Sequence, residues 1–104
     1  MIHVLAFLHL RSGVRREFLA TLHDLVPKVR AEAGCLEYGP ATDHAPFMGF
    51  QIPVGDDIVV VVERWASPAA LEAHIEAPHM KAWGKAVEGM MTRRQIHVLD
   101  PAGR

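Results

Sequence analysis

Few side chains in this chain of 104 residues combine the type and the setting that chemistry needs. The most promising are His74 and His79, Glu63, and the tryptophans Trp65 and Trp83. An imidazole titrates near neutrality and can serve as acid or base. His74 lies three residues after Leu71 and four after Ala70, on the inward side of a predicted helix. It reads first as a hydrogen-bonded core histidine and second as a pocket acid/base. Trp65 and Trp83 are core aromatics first, and as pocket walls they would suit a flat aromatic ligand. Glu63 has two readings. It could pair with Arg64 at the sheet end, or it could accept the N–H of a half-buried His74.

Other chemistries find less support. His74 and His79 are five apart, and five helical steps turn a side chain roughly 140° away. Pro78 between them also breaks the helix, so they are not the i, i+4 pair of a helical metal site. His3 and His9 share a strand face but stand roughly 20 Å apart. No Cys pair or Asp/Glu–His spacing supports zinc, so no metal is expected. Ser12 and Ser67 occupy turn and cap positions, and there is no G-x-S-x-G elbow. Cys35 follows a glycine at a strand start and reads as a small buried residue. Neither G-x-G-x-x-G nor Walker A occurs, which argues against nucleotide or flavin binding through those loops.

The elements that must position these groups centre on residues 58–83. Ile58 to Val62 are five consecutive β-branched residues and predict a strand with both faces covered. Ser67-Pro68 is a helix start, with the Ser as cap and the Pro in the first turn. That helix puts Leu71 and Ile75 on one face, and Pro78 ends it. Met80, Trp83, Val87 and Met90 then mark a second amphipathic helix. Apolar walls with a few polar groups at their edge are typical of small-molecule pockets.

Upstream, residues 2–10 predict a first strand with His3, Leu5, Phe7 and His9 on one face. A helix over 14–32 follows, with Val14, Phe18, Leu22, Leu25, Val26 and Val29 as its stripe. Pro27 should kink it near Leu22 to His23, and Gly34 should stop it. Residues 35–42 predict a second strand, with Gly39-Pro40 marking a bulge or an edge. Residues 43–57 form a long connection with an unusual apolar middle, Phe47, Met48, Phe50 and Ile52. It is expected to fold over a pocket or to pair across a dimer. Residues 92–99 predict the last strand, and the tail DPAGR should fray.

The resulting order, β-α-β-β-α-β with the second helix broken in two, is the ferredoxin-like arrangement: an α+β fold with an antiparallel sheet and helices on one face. One domain spans 1–104. Such a chain buries roughly two-thirds of its unfolded surface. The open sheet face then needs a cover, and a symmetric homodimer is the simplest. Net charge is −1, so no basic excess points to nucleic acid or to a membrane surface. The apolar N-terminus is too short for a membrane span. One cysteine leaves no internal disulfide, and a cytoplasmic location is expected.

Two stretches carry a family resemblance. One is Ala31-Glu32-Ala33-Gly34-Cys35-Leu36-Glu37-Tyr38. The other is Glu63-x-Trp65-x-Ser67 followed by Leu71-x-x-His74 and Pro78-His79. With them, nearly the whole chain resembles the antibiotic biosynthesis monooxygenase family of dimeric α/β-barrel proteins. The resemblance implies a homodimer of two sheets packed into a barrel, with a pocket in each subunit. It implies oxidation of a small aromatic phenol or quinol by molecular oxygen, with no metal, flavin or other cofactor. His74 would be the catalytic acid/base, and Trp65, Trp83, Phe7, His79 and Glu63 would bind substrate. A related branch degrades haem with an Asn on the first strand, and this chain contains no Asn. An isomerase or lyase acting on a small carbonyl compound, and a non-enzymatic binding module, remain open alternatives.

Overall fold

The computed structural model describes residues 1–103. The order is β1 (Ile2–Leu10), α1 (Arg15–Arg30), β2 (Cys35–Ala41), β3 (Ile58–Trp65), α2 (Pro68–Glu76), α3 (Pro78–Val87) and β4 (Met91–Leu99). This is the ferredoxin-like α+β layout. The four strands form one antiparallel sheet in the order β2-β3-β1-β4. The expected fraying of the tail extends to Arg104, which lies outside the described residues.

Strand alternation puts every second side chain against the helices. From β1 these are Ile2, Val4, Ala6, Leu8 and Leu10; from β3 they are Val59, Val61, Glu63 and Trp65. The register pairs Val4 with Glu63, Ala6 with Val61 and Leu8 with Val59, so they form one continuous floor. Phe18, Leu22, Leu25, Val26 and Val29 of α1 and Val87 at the end of α3 close over it. The opposite sheet face carries Leu5, Phe7, Ile58, Val60 and Val62, all half-buried. The β-branched run of β3 therefore has one buried face and one half-covered face.

α1 holds Pro27 inside its 16 residues. Some local expectations shift. β2 is an edge strand, which tolerates the missing amide of Pro40; its register irregularity falls between Cys35 and Glu37, not at Gly39-Pro40. Arg64 pairs with Glu37 of the neighbouring strand at 2.8 Å rather than with Glu63. Adjacent strand residues point to opposite faces, so Glu63 and Arg64 could not meet.

The connection 43–57 is tied at its base. Both carboxylate oxygens of Asp43 accept backbone amides, from Val54 at 2.9 Å and Gly55 at 3.0 Å. These bonds lower the Asp43 pKa. Phe47, Met48, Phe50 and Ile52 are exposed, and none of them folds over the cavity described below.

Candidate active site

Between the sheet and the α2–α3 pair lies a cavity of about 300 Å³. Val4, Ala6, Leu8 and Val61 form its floor, and Leu71, Met80 and Trp83 stand over it. Tyr38, Glu63 and His74 are the polar groups of its inner wall. Ile96 and Val98 of β4 reach the same space, but no helix covers β4, so they and Ile75 form an exposed apolar mouth. The inward side of α2 is consequently Ala70, Leu71 and His74, while Ile75 faces outward. His74 is the one buried residue of that helix. The cause is the turn before β2: an added Cβ on Gly34 would lie 2.6 Å from the Ala70 Cβ, so α2 seats directly on that glycine.

His74 is 4% exposed. Its ring lies over Trp65, with centroids 4.6 Å apart and planes tilted by 37°. Tyr38 meets it edge-on at 5.5 Å. Its Nδ1 is 2.9 Å from one oxygen of Glu32 and 3.2 Å from the other. Nε2 of His79 lies 2.7 Å from the nearer of those oxygens. The polar partner of His74 is thus Glu32, not Glu63. Pro78 produces this arrangement. It starts a new helix, so the two histidines no longer follow one helical spiral and both reach a single carboxylate.

Glu63 accepts the indole N–H of Trp65 at 2.9 Å. Burial pushes the Glu63 carboxyl up, the bond from Trp65 opposes the rise and the nearby Glu32 adds to it, so that it stands at about 7. A neutral carboxylic acid at this place can donate a hydrogen bond into the cavity. Burial, with Glu63 and Glu32 nearby, also holds the Tyr38 phenol protonated well above its ordinary range. Cys35 is raised too, by desolvation first and then by Glu32 and Glu63. It is no activated thiolate.

The remaining candidates separate. Trp83 lines the cavity, donates to the Thr21 hydroxyl at 3.2 Å and packs edge-on against Phe18. Trp65 is fully buried and supports His74 from behind rather than lining the space. His79 also lies off the lining and touches the site through Glu32. Phe7 is on the opposite sheet face, against His97, because odd positions of β1 point away from the helices. It is not placed to bind a substrate in this cavity. Sequence reasoning did not single out Glu32 or Tyr38 as site residues, although both lie within the Ala31–Tyr38 stretch. Among the described residues, no group of three or more His, Cys, Asp or Glu side chains could hold a metal ion. No helix among them is long and apolar enough to cross a membrane.

The sequence matches the family described as "Antibiotic biosynthesis monooxygenase" over residues 1–86. The chain belongs to the antibiotic biosynthesis monooxygenase family. It is 39% identical over 103 residues to the probable quinol monooxygenase YgiN of Escherichia coli K12, spanning 97% of this chain and 98% of that one. The fold of Rv0793 from Mycobacterium tuberculosis superposes with a TM-score of 0.79 at 26% identity, covering 99% of this chain and 96% of that one. PA3566 from Pseudomonas aeruginosa gives a TM-score of 0.81 at 24% identity, over 98% and 94%. Family membership supports monooxygenase chemistry.

Proposed function

We propose that the protein is a cofactor-independent monooxygenase acting on a small aromatic phenol or quinol. One observation carries the reading: a buried imidazole, His74, stands on the wall of an apolar cavity beside a carboxyl group that is raised to about 7. The likeness to a probable quinol monooxygenase supports the choice of substrate class. His74 takes the proton of a substrate hydroxyl. The phenolate left in the apolar cavity is electron-rich and passes electrons to molecular oxygen. For a phenol going to a quinone, or a quinol going to a hydroxyquinone, one oxygen atom enters the ring and the other leaves as water. Substrate supplies all four electrons. Trp83 and the aliphatic floor hold the ring and exclude water, and neutral Glu63 hydrogen-bonds a second oxygen of the substrate. A homodimer closed through the open sheet face completes the proposed molecule.

The same pair, His74 as base and Glu63 as acid, also suits proton transfer on a small carbonyl compound. Oxygen uptake with a panel of dihydroxy-aromatics separates the two readings. Uptake that tracks formation of a hydroxyquinone carrying one atom of the consumed oxygen supports the monooxygenase; deuterium exchange into a carbonyl substrate without uptake supports the isomerase. In the first case His74→Gln should keep the fold and lower turnover by roughly 10²–10⁴-fold, the usual worth of a positioned acid/base. An unchanged rate with a lowered Tm would make His74 a structural residue and remove it from the mechanism.

A further inference from the structure

Two aromatic rings hold the plane of the His74 imidazole, Trp65 against its face and Tyr38 at its edge. Neither contact distinguishes one ring nitrogen from the other. The distinction is made by Glu32, whose oxygens lie 2.9 and 3.2 Å from Nδ1. A carboxylate only accepts hydrogen bonds, so the nitrogen that faces it must carry the hydrogen. No protein group pairs with Nε2 among the described residues, and the ring lines the cavity. Glu32 is itself braced. It follows the last turn of α1 and sits in the loop that α2 seats upon, and His79 from the first turn of α3 holds its Oε2 at 2.7 Å.

We infer that Glu32 is the positioning residue of this site, with His79 as its brace: together they fix His74 in the Nδ1–H form and aim the Nε2 lone pair into the cavity. The inference rests on the reading of His74 as the base. When Nε2 accepts the substrate proton, the imidazolium forms against an anion already in place. In a water-poor site the partner of the ring is then already oriented when the proton moves, and no reorganisation is needed. No atoms are exchanged with Glu32; it orients the ring and balances its charge. His79 contributes by keeping the carboxylate from rotating away, and Pro78 is the feature that lets it reach.

The test has one arm that needs no substrate. Ring-nitrogen NMR of the ¹⁵N-histidine-labelled protein should show His74 with a protonated Nδ1 and a bare Nε2. In Glu32→Leu, which removes the acceptor, that preference should be lost. With a quinol substrate, kcat of Glu32→Leu should fall ~10²–10⁴-fold, the range set by a base held in the wrong form, while KM changes little. Glu32→Gln keeps an acceptor oxygen without the charge, so it should restore the Nδ1–H form and give a rate between the other two. An Nε2–H form of His74 in the unmodified protein, or wild-type kcat in Glu32→Leu, overturns the inference. Should Glu32→Leu fail to fold, the unmodified protein and Glu32→Gln still decide it. Should the unmodified protein oxidise no quinol, the proposed function fails, while the NMR result still stands or falls on its own.

Discussion

At the scale of single residues, the site separates two carboxyl groups by environment. Glu32 lies against two imidazoles; Glu63 has only the Trp65 indole for a partner and is buried. The Glu63 carboxyl therefore keeps its proton up to about 7, against 4.5 for an ordinary glutamate. The linkage sign follows. Between these two pH values the folded chain binds more protons than the unfolded one, so stability falls as pH rises. The contribution is intact below about 4.5 and lost above about 7. Integrated over that window the loss is on the order of 3 kcal/mol. Glu63→Gln keeps an oxygen for the Trp65 N–H and cannot ionise. Its Tm should exceed that of the unmodified protein at pH 8, and the advantage should disappear near pH 4.5; thermal melts across this range check it. Equal pH profiles for the two proteins would mean that Glu63 is ionised in the fold. None of this coupling was legible in the sequence. His74 and Glu63 could be singled out by type and placement, but the partner of His74 could not, because Glu32 is 42 positions away and is reached only through the tertiary fold.

At the scale of elements, the sequence was far more informative, since the signals are local. The β-branched run, the Ser67-Pro68 start and the Pro78 break each act through their own backbone, and all three stand where the pattern places them. Ser67 does cap its helix, accepting the Ala70 amide at 3.2 Å. Two misreadings share one cause. The outward placement of Ile75 and the pairing of Glu63 depend on which neighbour an element meets, and hydrophobic spacing alone does not name that neighbour. For α2 the neighbour is Gly34. Its φ of +84° is a left-handed conformation, and its missing Cβ admits Ala70. Its carbonyl also accepts the Ala66 amide at 2.8 Å, tying the β3–α2 junction to the turn that bears Glu32. Gly34→Ala should therefore cost about 2–4 kcal/mol, from left-handed strain together with overpacking. It should also lift α2 and lengthen the Glu32–His74 contact. Chemical denaturation measures the first effect and the His74 ring-nitrogen shifts measure the second. A loss of stability with unchanged histidine shifts would uncouple the glycine from the site.

At the scale of the whole molecule, the two sheet faces have different fates. One is covered by α1 and the α2–α3 pair over β1 and β3, with the cavity mouth open beside β4. The other leaves Leu5, Phe7, Ile58, Val60 and Val62 half-buried in a row across β1 and β3, with Phe7 directly opposite Val60. An apolar strip of this kind at the centre of a sheet favours a partner surface over water, and a two-fold axis lets one strip cover its copy. The chain of 11.5 kDa should therefore sediment at about twice that mass at micromolar concentration. Val60→Lys tests which face is used. It would set an ammonium group in the middle of the strip, where two copies would face each other across the axis. The side chain at position 60 points away from the cavity, so the His74 site is left alone. Val60→Lys should sediment as a monomer while its His74 ring-nitrogen signals stay as in the unmodified protein. A variant that remains a dimer would move the interface elsewhere, to the exposed Phe47–Ile52 loop or the uncovered side of β4. An unmodified protein that sediments as a monomer would leave the open face bare and remove the barrel from the proposed assembly.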